Sequence, residues 1–208
     1  RARFLVVALS SDWLFPPEQS LEIATALIRQ GKNVSYCLLH APHGHDAFLI
    51  DIEHMSELVR TFLSAGSPRE QPPGRLEVSA PPDHPAEHRR IAETIAPRSR
   101  VLDLGCGDGS LLAELMRRRQ AAGMGVEIEL TSIISALGKG LDVFQGDIDE
   151  GLAMVPTGAY DYVILSQTLQ VVRKPRLVLQ EMLRVAREGI VSFPNFAHWR
   201  NRLRLAVA

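Results

Sequence analysis

The stretch Val101-Leu102-Asp103-Leu104-Gly105-Cys106-Gly107-Asp108-Gly109-Ser110 runs an apolar strand into an acid and then into three alternating glycines. Strand, tight loop and helix in that order build a nucleotide-sized pocket, because a loop without Cβ atoms lets the backbone approach a ligand. A helix is expected over 108–119, so its unpaired N–H groups lie at the loop. A dinucleotide loop reads G-x-G-x-x-G and rests pyrophosphate on the helix N-terminus. Here the glycines are Gly105, Gly107 and Gly109, and Asp103 and Asp108 flank them. Two carboxylates repel a phosphate at short range. They suit a phosphate-free ligand that carries positive charge, as the amino group and sulfonium of S-adenosylmethionine do.

Beyond the loop, Gly123–Glu127 reads as a second strand closing on Glu127, eighteen residues after Gly109. A carboxylate there can accept from both ribose hydroxyls, the role an acid plays roughly 20 residues on in dinucleotide folds. Leu141–Phe144 leads into Gln145-Gly146-Asp147, a third strand end that can meet the adenine. Tyr160–Leu165 makes a fourth, followed by Ser166, Gln167 and Thr168. Ligands of doubly wound sheets bind outside the carboxyl ends of the strands, so these polar residues converge on one crevice. Taken singly, a glutamate at a strand end is more often a solvated surface charge. Loop, acid and strand order taken together point to a ligand.

Residues 82–208 resemble the class I methyltransferase-like family of methionine biosynthesis often called MetW. The resemblance rests on Val101–Ser110, Gly125–Glu129, Gln145–Gly151, Tyr160–Gln170 and Ile190–Arg200, the last two being more specific than the glycine loop. It implies a Rossmann-like fold that binds S-adenosylmethionine, with Gly105, Gly107, Glu127 and Asp147 at the cofactor positions. Asp103, at the strand end, joins them as a cofactor residue. The resemblance does not by itself imply a methyl acceptor.

With 46% apolar residues in 208, the chain can bury a sizeable core in one or two domains. A net charge of −1 argues against a dedicated nucleic-acid binder, which would show a basic excess. Arg117, Arg118 and Arg119 close an expected helix, where cations complement the dipole. No stretch approaches the ~20 apolar residues of a membrane span, and no signal peptide opens the chain. The two cysteines, Cys37 and Cys106, offer no disulfide framework, so a reducing, cytoplasmic setting is expected.

The first third differs in kind. Phe4–Leu9 is a buried-type strand followed by Ser10-Ser11-Asp12-Trp13-Leu14-Phe15-Pro16-Pro17. Glu18–Arg29 carries apolar residues at helical spacing and stops at Gly31. Asn33–Leu39 is another strand, leading to His43, Gly44, His45 and Asp46, and 47–63 turns helical again. This β-α-β-α unit brings Asp12 and His45 out at one edge of a parallel sheet. An acid and then a histidine, each in the loop after a strand, is the tail of an α/β-hydrolase Ser…Asp…His triad. Two other readings are open on the residues alone: Asp12 can cap the following helix, and the two histidines can ligate a metal, although a third ligand is lacking.

Ser11–Pro17 and Gly44–Leu49 are similar to the C-terminal end of the homoserine O-acyltransferase family. That resemblance makes Asp12 the triad acid and His45 the general base, with no metal, and implies homoserine and acyl-CoA as substrates. The nucleophile is missing: only eleven residues precede Asp12, and no G-x-S-x-G elbow occurs in the chain. Acid and base without it cannot carry out acyl transfer.

The domain organisation expected is an acyltransferase remnant over 1–64, a Pro/Gly-rich linker over 65–82 and a methyltransferase-like domain over 83–208, opening with a helix at His84–Ile95. Both ends look cut, as in the middle of a longer fusion or an incomplete gene model. The isolated first part would leave apolar strand faces uncovered. Two functions are in view. The second domain acts as cofactor-binding partner of a homoserine O-acyltransferase, or it methylates a small molecule, with Ser166, Gln167, Asn195 and His198 as polar candidates. A homo-oligomer is left open.

Overall fold

In the computed structural model, which describes residues 2–50, 52–65 and 84–192, apolar and β-branched runs form strands and amphipathic runs form the helices between them. The chain order is β1 (Arg3–Leu9), α1 (Pro17–Arg29), β2 (Asn33–Leu39), α2 (Ala47–Ile50), α3 (Ile52–Ser64), α4 (His84–Thr94), β3 (Arg100–Leu104), α5 (Ser110–Arg119), β4 (Ala122–Glu127), α6 (Leu130–Gly138), β5 (Asp142–Gln145), β6 (Tyr160–Ser166), α7 (Pro175–Val185) and β7 (Ala186–Ser192). The strands pair in parallel to give one sheet in the order β1-β2-β5-β4-β3-β6-β7. From β3 the chain winds outward through β4 to β5, then returns to the other side of β3 for β6 and β7. That reversal opens a crevice at the carboxyl ends of β3 and β6, where a doubly wound sheet holds its ligand.

Strand residues alternate between two cores, one on each face of the sheet. Cys37, Leu39, Val101, Val143 and Ile164 bury on one face, against Leu58, Ile91, Leu112 and Ile133 from the helices. Val34, Tyr36, Leu102, Leu104, Val163 and Leu165 bury on the other, against Ala24, Val178 and Met182. Residues buried on both sides read as near-continuous apolar runs, which is why the strands were legible.

Helix boundaries follow from single residues. Pro17 and Pro175 stand in the first turns of α1 and α7, where a missing N–H costs nothing. The helix expected over 108–119 begins at Ser110, because Gly109 takes a left-handed φ of 75° as its cap. The helical pattern expected over 47–63 is seen as α2 and α3, preceded by a 3-10 turn at Gly44–Asp46.

The first segment does not stand apart. β2 lies between β1 and β5 and touches β5 at the Tyr36–Phe144 pair. Its apolar faces, which the isolated segment would leave uncovered, are buried by the rest of the chain: Val34 is 1% exposed and Cys37 0%. Most of the linker, and Asn195 and His198, lie outside the described residues.

Candidate functional site

The glycine loop leaves β3 with φ values of +68° at Gly105 and +55° at Gly107, which L side chains rarely adopt. Space decides what each does. A Cβ on Gly105 would lie 2.7 Å from the Thr168 side chain, so loop and β6 terminus close together here. A Cβ on Gly107 would meet nothing within 4 Å, which leaves an open cradle over the backbone.

Glu127, at the end of β4, turns back to this loop. Its Oε2 accepts from the Gly107 N–H at 2.8 Å, and its Oε1 accepts from the N–H groups of Ile128 and Glu129 at 2.8 and 3.0 Å. Asp103 is 2% exposed. Burial, and then the charge of Glu127, push its carboxyl up to about 7. Asp147, after β5, accepts from the Asp149 N–H at 2.8 Å and from Arg173 Nη2 at 2.6 Å. Gly105, Glu127 and Asp147 thus line one cleft of about 660 Å³, together with Ile128, Gln167 and Thr168. Gly107 and Asp103 do not line it: Gly107 is hydrogen-bonded to Glu127, and Asp103 is buried and senses the Glu127 charge.

One part of the expected charge pattern is different. Asp108 was read as a second acid facing the ligand. Its carboxylate instead accepts from Ser110 and from Lys139 Nζ at 2.5 Å. Desolvation raises its pKa, yet the Lys139 and Ser110 hydrogen bonds outweigh this and leave it below the usual carboxylate value. The acids lining the cleft are therefore Glu127, Asp147 and Asp149, and Asp103 is buried close enough to feel the Glu127 charge. These residues fit a phosphate-free cation: buried and half-buried carboxylates beside an open glycine cradle.

Two residues were missed in the sequence. Arg173 bridges Asp147 and the buried Asp149 across the cleft mouth. The available signal was Arg173-Lys174 directly before Pro175, two cations at a helix start where the dipole disfavours them. Glu87, on α4, accepts from Ser166 Oγ at 2.9 Å and also from Gln167 Nε2 and Ser192 Oγ, fastening α4 over the ends of β6 and β7. No spacing signals that contact, since its partners lie 79 to 105 residues away. Ser166 and Gln167, read as acceptor-side candidates, are held in this cluster.

The second constellation lies at the same carboxyl edge of the sheet. His45 Nδ1 and Asp12 Oδ2 are 2.9 Å apart, and Asp12 Oδ1 accepts from the N–H groups of Leu14 and Phe15 at 3.0 Å each. The Phe15 N–H, then the His45 ring, hold the Asp12 carboxyl below its ordinary range. Ser11 joins the two loops: its Oγ accepts from the Gly44 N–H at 2.9 Å and donates to the Ala41 carbonyl. The Phe15 ring tilts over the imidazole at 5.4 Å. Asp12 does not cap α1: Leu14 and Phe15 lie before that helix, whose N-cap, Pro16, takes no side-chain hydrogen bond, so one carboxylate oxygen shapes the loop and the other faces His45. No cluster of three or more metal-ligating side chains occurs among the described residues, and no helix among them is long and apolar enough to cross a membrane.

A family model described as methionine biosynthesis protein MetW matches residues 85–208. The chain belongs to that family. It is 40% identical over 205 residues to the bifunctional methionine biosynthesis protein MetXA/MetW of Rhodopirellula baltica, covering 94% of this chain and 32% of that protein. The chain therefore spans about a third of that relative's length. Its N-terminal part is similar to acyltransferases: 49% identical over 63 residues to homoserine O-acetyltransferase of Methanosarcina acetivorans, covering 30% of this chain and 12% of that one, and 50% over 62 residues to homoserine O-succinyltransferase of Bordetella petrii, covering 30% and 15%. Among solved structures, a SAM dependent methyltransferase from Archaeoglobus fulgidus superposes with a TM-score of 0.50 at 25% identity, covering 59% of this chain and 57% of that one. The chain is thus a MetW-family protein with a methyltransferase-like Rossmann fold and homology to homoserine O-acyltransferases at its N-terminal part.

Proposed function

We propose that this chain is the junction of an acyltransferase that moves an acyl group from acyl-CoA to the homoserine hydroxyl and an S-adenosylmethionine-binding partner. Residues 1–64 form the acyltransferase end, 65–82 the connection and 83–208 the cofactor-binding domain. The single observation that carries the reading is the 2.9 Å Asp12–His45 pair, with Asp12 fixed by two backbone N–H groups. Asp12 holds Nδ1, and so sets the tautomer in which Nε2 acts as base. His45 takes the proton from a serine supplied by the upstream part of the complete protein. That serine forms an acyl ester as the thioester breaks and His45 gives the proton to the departing CoA sulfur; the homoserine hydroxyl then attacks the ester, its proton passing through His45 to the released serine oxygen.

The cofactor residues are Asp103, Gly105, Gly107, Glu127 and Asp147. Glu127 exchanges its Gly107 N–H for the ribose hydroxyls, Asp103 supplies negative charge to the amino-acid end, and Asp147 receives the adenine. When bound, S-adenosylmethionine brings a sulfonium methyl group, and in this reading its presence reports a downstream product to the acyltransferase. The methyltransferase-like structural neighbour and the phosphate-repelling acids support the ligand. The acyltransferase relatives support the partner.

The test is a titration of the complete protein with S-adenosylmethionine while homoserine acylation is followed. Cofactor binding is expected to change the acylation rate with no methylated product. Binding that leaves acylation untouched while a methylated small molecule accumulates makes the domain a methyltransferase instead.

A further inference from the structure

The contact between β2 and β5 is unlike the other pairings of the sheet. β1 and β2 match over seven residue pairs, whereas β2 and β5 share one, Tyr36 with Phe144. Side chains take over from the backbone ladder. Asn33 Nδ2 donates to Asp142 Oδ2 at 2.8 Å. The Val143 N–H donates to Ser35 Oγ at 3.1 Å, and the Leu38 N–H donates to Gln145 Oε1 at 2.8 Å. Between these bonds the Tyr36 and Phe144 rings stack at 4.9 Å and 23°. Arg3, on β1, adds its charge 3.8 Å from the buried Asp142.

An open strand edge offers generic backbone groups that any other strand can pair with. Here an amide on each edge is met by one named side chain from the opposite strand, so the match depends on sequence rather than on backbone alone. Burying Asp142 and Ser35 carries a desolvation cost that only the right partner offsets.

We propose that the β5 edge is a docking edge for the acyltransferase-like segment, whose strand β2 it recognises through Asp142, the Val143 amide, Phe144 and Gln145. The two halves are then held by this seam and not by the connecting residues alone. The inference rests on the two-part reading above and adds where the parts meet. It also fixes their relative aspect: Asp12–His45 and the cofactor cleft open on the same sheet edge. Beside the cofactor cleft, α1 and the ends of β2 and β5 line a groove of about 1070 Å³, which shares Val126, Ile128, Gly146 and Asp147 with it.

The experiment uses the complete protein with a protease site placed within residues 66–83, cleaved after purification and run on a sizing column at micromolar concentration. The wild-type halves are expected to elute together, with slow amide exchange at Val143 and Leu38. Asn33→Asp sets two carboxylates side by side and is expected to weaken association roughly tenfold or more. Adding Asp142→Asn restores the hydrogen bond with its polarity reversed and is expected to restore association, which a merely misfolded Asn33→Asp chain would not show. Wild-type halves that separate, an Asn33→Asp protein that stays associated with unchanged exchange at Val143, or a double variant that fails to recover would each overturn the seam. Acyl transfer and cofactor affinity measured on the uncut protein separate the two failures: halves that part while acyl transfer still responds to the cofactor remove the docking edge and leave the functional reading in place.

Discussion

Asp103 answers two opposed demands. Its burial favours the neutral acid, while a cationic ligand favours the carboxylate. With its folded value raised to about 7 against ~3.9 in an unfolded chain, the folded state binds more protons across that interval. Its contribution to stability therefore falls as pH rises from ~4 through 7, and Asp103→Asn should raise the melting temperature at pH 8. Ligand binding works the other way. A cation must displace the proton, so affinity for S-adenosylmethionine should climb about tenfold between pH 6 and pH 8 and lose that slope in Asp103→Asn. Calorimetry showing a flat profile in the wild type would remove Asp103 from the site. Beside it, Glu127→Ala should weaken binding by ~1–3 kcal/mol, the range for a charge-assisted hydrogen bond, and equal affinity would exclude Glu127. Gly109 is a question of fit. Its φ is +75°, and an added Cβ would lie 2.2 Å from Leu141 Cδ1. Gly109→Ala should cost roughly 2–4 kcal/mol from left-handed strain and overpacking together, read as a lowered melting temperature.

At the scale of elements, the loops after β1 and β2 behave as one unit, because Asp12 and Ser11 in the first bind His45, Gly44 and Ala41 in the second. The lowered pKa of Asp12 gives a stabilising contribution that is present above the ordinary carboxylate value and lost as pH falls through the folded one. Exposed Trp13 reports on this loop. Its fluorescence should shift below about pH 4, and Asp12→Asn should abolish the shift; a signal unchanged down to full acid unfolding would separate the loop from that titration. The strands of these elements were legible because parallel strands buried on both faces are written as short apolar runs, as in Val101–Leu104 and Tyr162–Leu165. So were Asp12, His45 and the glycine loop, whose chemistry lies within a few residues of a strand end. The pairing of Asp108 with Lys139 was not legible, nor was the clasp of Glu87 on Ser166 and Ser192. Each depends on a partner that only the closed sheet brings near, and a charge on a helix surface reads the same with or without one.

At the scale of the molecule, the sequence suggested two bodies on a string, and the burial pattern points to shared energetics. One core joins Leu39, Ala47 and Leu58 to Ile91, Leu112, Ile133 and Val143; the other joins Val34 and Tyr36 to Leu102, Phe144 and Met182. Neither core is complete without residues from both sides of the seam. Leu58 in α3 and Ile133 in α6 are both 0% exposed and belong to helices packed on each other. Truncating either leaves a cavity in the same core, costing ~2–5 kcal/mol, or about 4–20 °C in a chain of this size. If the segments fold independently, Leu58→Ala lowers one transition and Ile133→Ala another. If the shared core governs, as its composition implies, the 208-residue chain melts in a single transition that both variants lower by similar amounts. Their combination should then lose less than the sum, since neighbouring cavities share relaxing walls. Calorimetry of the wild type and three variants decides it: two resolved peaks, each moved by only one substitution, would return the halves to separate bodies.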